Sequence, residues 1–188
     1  LVFDATNTGN DVTFGGSDAA TVLFSGAGGG WVFSDVNATT TSSFTVATGS
    51  VTLPTGVLTV VDDFVVKDTV SPAGGTVLVT SITGGNVVTL SGNDLENLTS
   101  EAVGGDYTLT DVSASLLGSL TVATGTFTVG TGTLSIGDSF DVSGGIFNNS
   151  SGTLLFNSAD TGEFIDPGTN ELYNVTISGT GGWTMAGS

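Results

Sequence analysis

Phe44-Thr45-Val46-Ala47-Thr48-Gly49 recurs as Leu120-Thr121-Val122-Ala123-Thr124-Gly125, at an interval of 120 − 44 = 76. In both copies apolar side chains alternate with small polar ones, and a glycine closes the run. Period-2 alternation ended by glycine reads as a short, half-buried strand followed by a turn. The same triplet continues as Val51/Leu53, Leu58/Val60 and Phe64/Val66 after the first copy. It continues as Phe127/Val129, Leu134/Ile136 and Phe140/Val142 after the second. Strands this short with turns this close leave little room for long hairpins, and the Asn-Gly and Asp-Gly hairpin dipeptides are absent.

Aromatic residues mark the same interval. Trp31, Tyr107 and Trp183 are separated by 107 − 31 = 76 and 183 − 107 = 76, each after a glycine-rich step. Leu154-Leu155-Phe156-Asn157 resembles Leu1-Val2-Phe3-Asp4 in the same way. The chain is therefore read as an array, with tandem repeats of about 76 residues, and not as a single enclosed domain. Residues 1–30 are the latter part of one repeat, 31–106 a second, 107–182 a third and 183–188 the start of a further one. Repeats of this kind stack against their neighbours and bury a continuous core. The expected fold is all-β: a parallel β-helix, or β-solenoid, running as one continuous body. Tandem β-sandwich domains are the alternative. Trp31, Tyr107, Phe44, Val46, Leu120 and Val122 are its expected core.

Charge and composition remove several functions. Of 188 residues, 18 are acidic and one, Lys67, is basic, for a formal net charge of −17. Without arginine, phosphate cannot be neutralised, so no nucleic-acid partner is expected. No apolar run is long enough to span a membrane. There is no cysteine or histidine, which excludes disulfides, thiolate zinc sites and histidine-based triads. An enzyme is not expected. A polysaccharide-active enzyme would have to rely on carboxylates alone, and the adjacent pair Asp62-Asp63 points to opposite sides of a strand.

The Phe-Thr-Val-Ala-Thr-Gly and Gly-Gly-Trp-Thr segments, set in Thr- and Gly-rich strands, resemble the repeats of bacterial cell-surface and extracellular β-solenoid proteins, adhesin-like or filament-forming. The resemblance implies a structural role outside the cell and supplies no catalytic residue.

The resulting expectation is an extracellular filament or surface-fibre subunit that joins copies of itself head to tail. Uncapped β ends at Leu1, Val2, Phe3, Trp183 and Met185 would make the joint, by terminal strand exchange if an end segment crosses over. A rigid adhesin stalk recognising a glycan or surface is the alternative. No cofactor is required. Calcium is the one cation the acidic clusters would suit, at Asp62, Asp63 and Asp68 or at Asp138 and Asp141. Glycosylation sequons begin at Asn37, Asn97, Asn148, Asn149 and Asn174. Asparagine at a turn, where it tolerates left-handed backbone, is the preferred reading of them.

Overall fold

The computed structural model describes residues 1–186. They form a parallel β-solenoid of about nine coils, with no helix among the described residues. The expected fold class is the observed one. Each coil has three faces. The first face stacks Val2–Phe3, Val22–Phe24, Phe44–Val46, Phe64–Val66, Asn86–Thr89 and Ile146–Asn148, with the second halves of Asn97–Leu109 and Leu120–Thr128 between the last two. On the second face lie Asn10–Val12, Gly30–Phe33, Ser50–Thr52 and Thr69–Ser71. They are followed by a sheet from Asp94–Leu95 to Asn174–Ile177. The third face runs from Ala38–Thr40 to Gly182–Met185. All of these pairings are parallel.

The alternation of the sequence explains the inside and the outside. In Val22–Phe24, Phe44–Val46 and Phe64–Val66 the outer two residues are buried and the middle one is not. Each such strand places two side chains inward, and the next corner turns the chain before a third is needed. Phe24, Phe44 and Phe64 stack at centroid spacings of 5.5 Å inside the first face. Toward the other end Phe140, Phe156 and Trp183 continue an aromatic column at 5.6 and 5.0 Å. Trp31, Tyr107, Phe44, Val46, Leu120 and Val122 are each at most 2% exposed.

Coil length follows from register, and it varies. The offset between paired strands is 76 − 57 = 19 for Val57 and Thr76, and 165 − 140 = 25 for Phe140 and Ile165. The repeat interval is therefore counted in strands. From Trp31 to Tyr107 it spans eleven strand-and-corner steps, counting Asn97–Leu109 twice because it crosses a corner. Eleven is not divisible by three, so each copy of the repeat lands one face back. Trp31 lies on the second face, Tyr107 on the first and Trp183 on the third. Phe44 and Leu120 lie on the first and third.

Candidate functional site

Corners govern how coils are held together. A corner leaves backbone N–H groups without ladder partners, and these need acceptors. Carboxylates and asparagine amides supply them from the adjacent coil. Asp111 accepts from Leu90 N–H and Ser91 N–H at 2.6 and 2.7 Å. Asp35 accepts from Phe14 N–H and Gly15 N–H, and Asp106 from Gly85 N–H. Lysine and arginine have no acceptor to offer in this role. The acidic bias of the chain is thus partly a device for closing corners, which the sequence reading did not identify. Its signal was available: Asp and Asn recur beside glycine between the triplets.

Of the acidic residues singled out for calcium, Asp62, Asp63 and Asp68 bond across coils, while Asp138 and Asp141 bond within their own corners. Asp62 accepts from Ser42 Oγ at 3.0 Å, and Asp63 from Val87 N–H at 2.9 Å. Asp68 takes Gly49 N–H at 2.7 Å and Thr69 Oγ. Asp138 accepts from Ser139 and Asp141 from Ser143, each through N–H and Oγ. Among the described residues, no group of three acidic, histidine or cysteine side chains converges as a metal-holding cluster. The sequon asparagines divide. Asn37, Asn148 and Asn174 are exposed and Asn97 is half-buried; Asn37 Oδ1 accepts from Val57 N–H, Asn97 Oδ1 from Ser119 N–H and Asn148 Oδ1 from Ser150 N–H. Asn149 is 2% exposed and offers no accessible amide.

One pair of corners shows what the repeat interval preserves. Asn93 Oδ1 accepts the N–H of Val70, and its Nδ2 donates to Asp68 O and Leu90 O. Asn170, its counterpart at 170 − 93 = 77, accepts from Phe147 N–H and donates to Gly145 O and Pro167 O. The sequence separations of the partners are 23, 25 and 3 in both cases. A second set is Asn10 and Asn86. Each donates to the carbonyl at separation 3 behind it and to one at separation 20 ahead. The next counterpart, at 163 − 86 = 77, is Glu163, which is 5% exposed. Its Oε1 accepts from Ser158 Oγ, and its Oε2 has no partner among the described residues.

The ends of the described solenoid expose unpaired strand edges. Val2–Phe3 pairs only with Val22–Phe24, and Asn10–Val12 only with Gly30–Phe33. At the other end Asn174–Ile177 pairs only with Thr153–Phe156, and Gly182–Met185 only with Thr161–Asp166. Leu1, Val2, Val175, Ile177 and Met185 are exposed there. Phe3 is half-buried against Phe24, and Trp183 against Phe156. The ends are stepped. On the first face the last strand is Ile146–Asn148, while the second and third faces continue for one more coil. The opposite end leads with a first-face strand, Val2–Phe3.

No family model, curated protein or solved structure matches this chain. No helix among the described residues is long and apolar enough to cross a membrane, a statement that does not address β-barrels.

Proposed function

We propose that this chain is a structural unit of an extracellular filament or surface fibre, extended head to tail by stacking of coils. The stack of parallel coils carries the reading: the first and last described coils present strand edges that a further coil, of this chain or of another copy, would extend. Unpaired N–H and C=O groups beside exposed apolar side chains are a template for another strand. A joint between two different surfaces is heterologous and generates an open fibre instead of a closed ring. The bacterial cell-surface setting rests on the sequence resemblance.

The role is non-enzymatic. Asp62 and Asp63 are committed to Ser42 Oγ and Val87 N–H, which leaves them serving the fold. The filament reading needs no resident metal. Calcium enters as a lateral bridge between fibres that otherwise repel one another through a net charge of −17 per chain.

Electron microscopy and size-exclusion chromatography of the full chain test the proposal. Fibres are expected, and the double variant Val175→Lys, Ile177→Lys is expected to stay monomeric with unchanged circular dichroism. A wild-type chain that remains monodisperse at high concentration overturns the proposal.

A further inference from the structure

Midway along the rod the ladder that stacks the coils is interrupted on two of the three faces. On the second face Thr69–Ser71 is the edge of one sheet and Asp94–Leu95 the edge of the next, with no ladder between them. On the first face Phe64–Val66 meets Asn86–Thr89 only through Phe64 with Val88 and Val65 with Thr89. The third face is unbroken there: Val57–Val60, Thr76–Val79 and the start of Asn97–Leu109 pair residue for residue. The interruption follows from a long corner. The offset across it is 88 − 64 = 24, against 64 − 44 = 20 one coil earlier, and the extra residues lie between Val79 and Asn86.

Side chains take over from the ladder along this seam. Asp63 Oδ1 accepts Val87 N–H at 2.9 Å. Asn93 Oδ1 accepts Val70 N–H at 3.0 Å, and its Nδ2 donates to Asp68 O at 2.7 Å. The Tyr107 hydroxyl bridges Val61 O and Ser81 N–H. The sequence repeat carries the same clamps. Ser139 Oγ accepts Phe164 N–H at 3.2 Å, at 139 − 63 = 76 and 164 − 87 = 77 from the Asp63 pair. Asn170 holds Phe147 N–H in Ile146–Asn148 as Asn93 holds Val70 N–H in Thr69–Ser71. Every part is one face back, and the unbroken face is now the second, through Thr133–Ile136, Thr153–Phe156 and Asn174–Ile177.

We infer that the solenoid hinges at the seam between Thr69–Ser71 and Asp94–Leu95: the first and second faces part there while the third stays paired. In a stack each coil holds only its neighbours, so stability is close to a sum of interface terms. The interface with the fewest ladder bonds is the one that opens below global unfolding. The side-chain clamps close it again without a change of register, and the continuous third face is the axis about which it swings. With one seam per sequence repeat, each hinge axis lies a third of a revolution from the last. A rod of several repeats then bends in more than one direction.

Hydrogen exchange of the full chain, resolved to single amides, tests the hinge. Val70, Ser81 and Val87 have N–H groups bonded across the seam by side chains. They are expected to exchange about tenfold faster or more than Phe44, Thr80 and Leu120, which bond to Asp63 O, Val60 O and Ser139 O. Their exchange should also accelerate together in sub-denaturing urea, because parting two faces exposes surface. Asn93→Ala is expected to speed Val70 and Val87 by the same factor, although Val87 bonds to Asp63 and not to Asn93. The inference is overturned if the seam amides are as protected as Phe44, Thr80 and Leu120, or if they respond to urea independently of one another. It is overturned equally if Asn93→Ala speeds Val70 alone. The wild-type urea series decides by itself where the variant does not fold. The seam lies away from both ends, so each result is read independently of fibre formation.

Discussion

Tyr107 shows how one side chain ties several coils together. Its hydroxyl donates to Val61 O at 2.7 Å and accepts from Ser81 N–H at 3.1 Å, while the residue is fully buried. Burial, above all, pushes its pKa up to about 12. Ser81 and Thr80 backbone hydrogen bonds pull the other way, and the charges of Asp62 and Asp63 push it further up. The folded state thus favours the neutral phenol. The associated stability is present in full below the unfolded value near 10 and is lost as pH rises through about 12. That gap corresponds to about 3 kcal/mol. Urea midpoints measured from about pH 9 to 12.5 should fall across that window, and the fall should shrink in Tyr107→Phe. Gly49 makes a second prediction. It has φ +90°, and a Cβ there would stand 2.7 Å from Trp31 Cζ3 and 2.8 Å from Gly29 O. Gly49→Ala should cost about 2 kcal/mol or more, read as a lowered denaturation midpoint. The two motifs that meet here, the tryptophan step and the Phe-Thr-Val-Ala-Thr-Gly run, were each legible in the sequence. Their contact was not, because it depends on coil length.

At the scale of the strand and its corner, asparagine is the recurring clamp. Asn93 and Asn170 share three bonds to partners at the same spacings, although they lead into different faces, and Asn170 adds a fourth to Val142 O. Asn93→Ala and Asn170→Ala should therefore destabilise by similar amounts, about 2 kcal/mol each, in thermal unfolding followed by circular dichroism. Glu163 breaks the pattern set by Asn10 and Asn86, and leaves Oε2 unpartnered among the described residues. Glu163→Gln should restore a donor in that position. A gain of about 1 kcal/mol would raise Tm by a few degrees. A lowered Tm would show that the carboxyl is preferred there. The alternation of Val, Leu and Phe made the strands readable, because period 2 records which side is buried. The corner clamps were not readable as such. An aspartate facing another coil looks in sequence like any solvated aspartate. Asp62 and Asp63 drew attention as a pair although their partners lie on other coils, at sequence separations of 20 and 24.

Over the whole molecule, about nine coils at a strand spacing of about 4.8 Å give a rod of about 43 Å. Head-to-tail fibres should show an axial repeat close to that length. Solution scattering of the monomeric double variant should give a matching long dimension. Solenoid architecture was legible from short strands and repeated glycine turns. Coil length was hidden, because the strongest repeat in the sequence and the repeat of the backbone are different numbers: eleven steps against three. That mismatch couples length to direction. Adding or deleting one copy of the sequence repeat lengthens or shortens the rod by three and two-thirds coils. It also turns everything beyond that copy by a third of a revolution, before any twist of the solenoid itself. Three copies restore the original heading. A chain of this kind can therefore aim a distal feature toward any of its three sides by changing copy number alone, with no new corner and no new core.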